Sequence, residues 1–300
     1  MQPRLLSLYA LHLGTMLATK TKVSLAGIAY KLIALARSSV GKDSHVNVRR
    51  QGLRWSLDLR EGIDFSIYLL GAFEPGTQRT LAKLIKPGDV VFDIGANIGA
   101  HTLGMARSVG PSGMVYAFEP SDFAFAKLRH NFSLNPELEP RLHAHQAFLG
   151  TQIAESTPRQ VYASWPLRAD RAVHPKHRGR LVSAAQASAD TLDSFVQRSK
   201  IDRIDLIKMD VDGWELPVLQ GGLQAIQRFH PILVMEMSPY VHAEQHNSFE
   251  DFIALLRNSG YSVRDADTWQ PVPLDAKQLQ HIIPDGASIN VVAQAGAIPK

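Results

Sequence analysis

The sequence contains no cysteine. That absence excludes thiolate zinc sites, iron–sulfur clusters, disulfide frameworks and cysteine nucleophiles. It fits a reducing compartment, and a cytoplasmic location is the expectation. No apolar run reaches the ~20 residues needed to cross a bilayer. Leu5 to Ala18 is interrupted by His12 and Gly14, and the polar Ala18-Thr19-Lys20-Thr21-Lys22 that follows is not a cleavage site. Neither sign of charge dominates, since 32 Lys and Arg against 28 Asp and Glu leave a net +4. A dedicated nucleic-acid binder gathers its basic residues on one face. Here the densest basic stretch, His174 to Arg180 with Lys176, Arg178 and Arg180, has no interleaved aromatic. It reads as a solvated loop or as a clamp for an anionic substrate. The Gly-x-Gly-x-x-Gly pattern of dinucleotide folds is missing, which disfavours a pyrophosphate cradle and an oxidoreductase. No internal repeat is visible.

What is present is an ordinary globular composition, 45% hydrophobic and 20% charged over 300 residues. That length suits one large domain or one domain with an appendage. Residues 1–44 read as a helical extension and linker, with Leu25, Ile28, Ala29, Leu32, Ile33 and Ala36 on one helix face. Weak peripheral membrane contact through residues 1–37 is the alternative reading of such a segment. Residues 45–300 read as the main domain. A hairpin is predicted around Gln51-Gly52, and an apolar segment covers Ile63 to Leu70. Helices and short apolar strands then alternate. Helices are predicted over 77–85, up to about 109, and over 121–134, 189–199, 215–229 and 249–259. Strands are predicted over 90–94, 114–118, 142–148, 206–211, 232–237, 261–264 and 288–293. Residues 150–182 show no period. Strands joined by single helices imply right-handed crossovers and a doubly wound, mostly parallel seven-stranded α/β sheet with the last two strands paired.

In such sheets ligands bind beyond the carboxyl ends of the strands. Four segments lie there. In Val90-Val91-Phe92-Asp93-Ile94-Gly95-Ala96-Asn97-Ile98-Gly99 a strand runs into glycines and then a helix. Gly95 permits close backbone approach, Asp93 accepts hydrogen bonds, and a helix amino terminus offers N–H groups to an anion. Glu119, ending the next strand, is placed to accept two adjacent ribose hydroxyls. A nucleoside cofactor without a phosphate cradle follows, and S-adenosylmethionine fits that description. Lys208-Met209-Asp210-Val211-Asp212-Gly213-Trp214-Glu215 gathers acids and a Lys at the fourth core strand. Such a cluster serves as base or substrate anchor; Asp212 alternatively caps the next helix. With no His in the motif, no metal is expected. Glu236 ends the strand beside it, as a hydroxyl anchor or a paired structural acid.

These stretches, VVFDIGANIG, YAFEPS, DLIKMDVDGWELPVLQGG and PILVMEMS, together with IDFSIYLLGAFEP upstream, resemble the FkbM family of S-adenosylmethionine-dependent methyltransferases over about residues 45–240. The resemblance implies a class I methyltransferase fold, Rossmann-like, with its cofactor core at about 77–240. The implied reaction is O-methylation of a sugar, glycan or polyketide-type hydroxyl. It also implies a cofactor site of Asp93, Gly95, Asn97, Gly99 and Thr102 around the methionine part and Glu119 on the ribose. Glu74 approaches from the preceding loop, and Gln146 and Ala147 lie near adenine. Family members commonly carry Glu where this chain has Asp212. The expected base is Asp210, with Lys208, Glu236 and Asp212 orienting or relaying protons and His101 as a competing base. The acceptor is expected to be a small molecule or glycan, met by a wall within 150–182 holding Trp165, Arg168, Arg171, His174, Lys176 and Arg178. Nucleic acid is not an expected partner, because the Asn/Asp-Pro-Pro-aromatic pattern for a flipped base is absent. The alternative is a non-catalytic module of the same fold that binds S-adenosylmethionine or glycan.

Overall fold

The computed structural model describes residues 19–153, 158–168 and 173–296. The chain begins there with helix α1 (Thr19–Ser38) and the antiparallel hairpin β1 (His45–Arg50) and β2 (Leu53–Asp58). Gln51 and Gly52 make its turn at φ 48° and 81°, the left-handed pair a two-residue hairpin turn demands. Alternation puts Leu53, Trp55 and Leu57 inward. The outer edge of β2 is not left open. The side chains of Asn131 and Asn135 accept from the Ser56 and Arg54 amides at 3.0 and 2.9 Å, fixing the hairpin to the main domain.

Helices α2 (Gly62–Leu70) and α3 (Pro75–Leu84) lead to β3 (Val90–Ile94), α4 (Thr102–Ser108), β4 (Met114–Phe118), α5 (Asp122–Ser133) and β5 (Leu142–His145). Next come β6 (Ala147–Leu149), β7 (Gln160–Ser164), β8 (Arg180–Ser183), β9 (Ser188–Asp190), α6 (Leu192–Arg198) and β10 (Leu206–Met209). The remainder is α7 (Glu215–Gly221), α8 (Leu223–Phe229), β11 (Ile232–Met237), α9 (Pro239–Glu244), α10 (Phe249–Asn258), β12 (Tyr261–Asp265), β13 (Pro271–Val272), α11 (Ala276–Ile282) and β14 (Ile289–Ala295).

Eight strands form the main sheet in the order β13-β12-β14-β11-β10-β3-β4-β5. Pairings from β5 through β11 are parallel, and β14 runs antiparallel between β11 and β12. This is the doubly wound sheet expected, with the two-residue β13 added at one edge. One face carries the core of Phe92, Phe118, Phe195, Met209 and Phe252; the other carries Val91, Leu103, Leu128, Trp55 and Phe65. The strands are apolar throughout because both faces are covered. Their order reverses between β3 and β10, and the crevice opens at the carboxyl ends there.

Several local expectations are corrected. Of the face expected to carry Leu25, Ile28, Ala29, Leu32, Ile33 and Ala36 together, Leu25, Ile28, Leu32 and Ala36 face outward, whereas Ala29 and Ile33 pack inward with Val23, Ala26, Tyr30 and Ala34. Tyr30 meets Phe65 edge-on at 6.0 Å, and Gly27 lets the helix approach Leu167, whose carbonyl oxygen would lie 3.1 Å from a Cβ there. The strand expected over 142–148 breaks at Gln146, so that β6 leaves the main sheet to pair with β9. Residues 189 and 190, expected as the start of a helix, belong to that β9 (Ser188–Asp190). The single helix expected over 215–229 divides at Gly222, pressed so closely on Leu192 that a Cβ would lie 2.5 Å from its side chain. The aperiodic 150–182 holds an antiparallel pair, β7 and β8.

Candidate functional site

The turn after β3 is built from backbone bonds. Gly95 and Ala96 amides both donate to the Phe118 carbonyl at 2.9 Å. Gly95 has φ 80°, and a Cβ there would sit 1.9 Å from the Asp210 carbonyl oxygen. The close neighbour that requires glycine is thus the β10 loop. Asn97, left-handed at φ 48°, donates its amide to Glu119 Oε2 at 2.9 Å and its side-chain amide to the Ala163 carbonyl at 3.2 Å. It couples the turn to both β4 and β7. Ser121 donates to the other Glu119 oxygen through its amide, at 2.9 Å, and through its hydroxyl. Burial raises the Glu119 pKa, against those hydrogen bonds and Lys208.

Asp93 and Lys208 are neighbours in register on β3 and β10. Lys208 Nζ lies 3.4 Å from Asp93 Oδ1 and 3.7 Å from Asp210 Oδ2, and donates to the Gly95 carbonyl at 3.2 Å. Thr102 Oγ1 donates to Asp93 Oδ2 at 2.6 Å. Burial opposes the Lys208 charge, but Asp93, Asp210 and Glu74 outweigh it and raise its pKa. Asp210 is raised by burial, with Lys208 pulling the other way. Its side chain is 34% exposed, yet only into the crevice. Asp212, at φ 48°, and Glu236 are both raised well above ordinary carboxylates, first by burial and then by Asp210. Among the described residues no side chain caps α7, and Trp214 occupies its N-cap position, so Asp212 is not the cap. His101 is held well below its ordinary pKa by burial and Lys208, hence neutral. Its Nδ1 lies 3.2 Å from Gln78 Oε1 and its Nε2 3.9 Å from Glu74 Oε2.

A cavity of about 660 Å³ unites these groups. Glu74, Gly95, Asn97, His101, Glu119, Ala147, Lys208, Asp210, Asp212 and Glu236 border it. Asp93 and Thr102 stand wholly buried behind the wall. Gly99 packs on Leu128, and Gln146 turns to Asp122, donating at 2.7 Å. Of the residues expected on the acceptor wall, Trp165 borders the cavity and Arg168, His174 and Arg178 do not; His177, which was not foreseen, does. Lys176 pairs with Asp285 at 2.9 Å, and Arg171 lies outside the described residues. Sequence reasoning missed Phe148, Tyr162, Trp214, Tyr240 and Ser288, all on the wall. Tyr162 alternates within a strand and Tyr240 follows Glu236 by four residues; no motif marks either.

His174, His177 and Glu244 bring ligand atoms within 4.8 Å of one another, an arrangement that suits a cation poorly. The two rings stack at 4.0 Å and 12°, so their in-plane lone pairs run parallel rather than converge. His177 Nδ1 accepts the Gly179 amide at 3.1 Å, and His174 Nδ1 the Lys176 amide at 3.3 Å. The neutral rings therefore carry their protons on Nε2, the atom a metal would need.

The crevice fits S-adenosylmethionine. The buried Glu119 carboxylate borders the cavity, and a carboxylate there could accept from a diol. Phe118, Ala147, Phe148 and Leu149 supply an apolar slot for a base. The volume lies within the range of small-molecule sites, about 300–1,000 Å³. The turn amides are already spent on Phe118 and Glu119, which leaves no phosphate cradle.

A profile of the family described as the Methyltransferase FkbM domain matches residues 93–263. The hexuronic acid methyltransferase AglP of Haloferax volcanii is 26% identical over 157 residues, 52% of this chain and 59% of its own length. The chain therefore spans less than two thirds of that relative. Methyltransferase sdnD of Sordaria araneosa is 27% identical over 210 residues, covering 60% of this chain and 77% of its own. A crystal structure of an FkbM methyltransferase from Methylobacillus flagellatus is similar with a TM-score of 0.42 at 15% identity, over 78% of this chain and 56% of that one.

Proposed function

The chain belongs to the FkbM family of S-adenosylmethionine-dependent methyltransferases, and from that membership we propose that it methylates a hydroxyl of a sugar, glycan or polyketide-type metabolite, with Asp210 as proton acceptor. The observation that carries this reading is the group of Asp210, Asp212, Glu236 and Lys208 on the same cavity as Glu119. When bound, S-adenosylmethionine supplies a sulfonium methyl open to in-line attack. Asp210 would take the proton of the acceptor hydroxyl as that oxygen receives the methyl, the sulfonium leaving as a neutral thioether. A base works best with a pKa near the working pH, and burial moves Asp210 in that direction. Lys208, 3.7 Å away, favours the anion on Asp210, so a shared proton rests on Glu236, whose protonated carboxyl can hydrogen-bond the acceptor. Tyr162, Trp165 and Tyr240 offer ring faces to a sugar or a polyketide.

The acceptor is a small molecule or glycan rather than nucleic acid. A phosphate backbone entering the crevice would meet Glu74, Glu119, Asp210, Asp212 and Glu236, with Lys208 the one Lys or Arg among the described lining residues. The same charge favours a neutral hydroxylated acceptor over a uronate. Labelled S-adenosylmethionine incubated with neutral glycans, uronate-bearing glycans and polyketide alcohols tests this. Methyl ether on a neutral acceptor is expected, and labelling confined to RNA or to carboxylates would overturn it.

A further inference from the structure

The outward side of α1 is a continuous apolar stripe. Leu25, Ile28, Leu32 and Leu35 are 53%, 59%, 68% and 72% exposed, and their spacing of three, four and three residues puts them in one line along the helix. Scattered exposed leucines are ordinary, whereas a line of four is a contact surface. At the end of α2, which packs beside α1, Leu69 and Leu70 are 50% and 63% exposed. These two leucines also border the cavity, as do Val23 and Ala26 of α1. Being both exposed and cavity-lining, Leu69 and Leu70 mark its opening.

The charge of the segment is one-sided. Residues 19–42 hold Lys20, Lys22, Lys31, Arg37 and Lys42 and no Asp or Glu. Removing these five from the net +4 leaves the rest of the chain at −1. We propose that α1 and the end of α2 dock the protein on an anionic lipid bilayer, with the mouth of the crevice turned to the lipid. Apolar side chains enter the headgroup boundary while the exposed Lys31 and Lys42 meet the anionic headgroups. The helix lies on the surface; among the described residues no helix is long and apolar enough to cross a membrane. A second copy of the chain would also cover the stripe, but pairing two such helices brings five positive charges against five with no carboxylate between them. Docking does not depend on the methyl-transfer reading. Taken with it, docking means that the acceptor hydroxyl is presented on a lipid-anchored molecule.

Vesicle flotation of the full chain tests the proposal. The protein should float with vesicles of phosphatidylcholine and phosphatidylglycerol and not with phosphatidylcholine alone. It should be released as salt rises and the Debye length falls from ~10 Å at 0.1 M to ~3 Å at 1 M. Ile28→Glu combined with Leu32→Glu should weaken partitioning by roughly tenfold or more, while calorimetric S-adenosylmethionine affinity and the melting midpoint stay as in the parent. Leu25→Ser with Leu35→Ser is the milder pair should the glutamates lower the midpoint. No flotation, equal flotation on neutral vesicles, or flotation indifferent to both pairs would overturn it. So would a dimer in sedimentation velocity that the substitutions dissolve without any vesicle binding. Loss of methyl transfer with flotation intact would instead count against the chemistry.

Discussion

The two sides of the crevice are built on opposite principles. At the ends of β3 and β4, most polar groups are held by near neighbours, although among the described residues Asp93 Oδ1 has only the Lys208 ion pair and His101 Nε2 no hydrogen bond. Asn97 and Ser121 hold Glu119, Phe118 accepts two amides, and Thr102 and Lys208 hold Asp93. At the ends of β10 and β11 the carboxylates of Asp210, Asp212 and Glu236 crowd one another, with Lys208 compensating the two aspartates and a hydrogen bond with Ser288 the glutamate. The first arrangement is rigid and suits holding a cofactor in place. The second is electrostatically unfavourable and suits groups that must exchange a proton. Strain of this kind gathers at functional sites, where stability is given up for pre-organisation.

The largest expected effect comes from joining the two sides wrongly. Gly95→Ala puts a Cβ 1.9 Å from the Asp210 carbonyl oxygen, in a left-handed conformation. It should cost at least ~3 kcal/mol, read as a fall in the denaturant midpoint; a midpoint equal to the parent's would show that the two loops do not abut. Next is Glu119→Ala. Each charge-assisted hydrogen bond to the ribose contributes about 1.5–3 kcal/mol, so S-adenosylmethionine affinity should fall by one to several powers of ten in calorimetry. A Kd within a factor of about two would remove Glu119 from the cofactor side.

The crowded side makes a prediction of opposite sign. Asp212→Asn and Glu236→Gln should each raise the melting midpoint at neutral pH, by on the order of a few °C, because each removes a carboxylate whose charge burial disfavours. The same linkage fixes the pH dependence. These acids have folded pKa values above their unfolded ones, so between the two values the folded state binds more protons. Their contribution therefore stabilises the protein as pH falls from the raised values towards about 4. Scanning calorimetry across that window should show a shallower slope in the variants, and an identical slope would contradict the crowding.

How much of this was legible in the sequence follows from which contacts are local. Strands 90–94, 114–118 and 232–237 are short β-branched or apolar runs bounded by breakers, and β3, β4 and β11 occupy those residues. The acids at the strand ends could be placed because a parallel sheet puts every carboxyl end on one edge. Gly99 of the first motif and Gln146 after the third strand were also expected at the site, but Gly99 packs on Leu128 and Gln146 turns to Asp122, a direction that spacing does not encode. The aromatic wall was invisible for a different reason. Tyr162 and Trp165 reach the crevice through a pairing of β7 with β8 across a connection of 15 residues, with both strands half-exposed and lacking a clear period. The exposed face of α1 was misassigned because both sides of that helix are apolar, and the positions of Tyr30 and Gly27 decide which is buried.

The division of the crevice can be measured in one paired experiment on Asp210→Asn, with S-adenosylmethionine affinity by calorimetry and methyl transfer to a labelled acceptor read from the same preparation. If Asp210 handles the proton rather than the cofactor, the predicted result is affinity within about threefold of the parent and turnover lowered by roughly 10²–10⁴. Turnover equal to the parent's, or an affinity loss as large as that of Glu119→Ala, would contradict the separation of cofactor holding from proton handling.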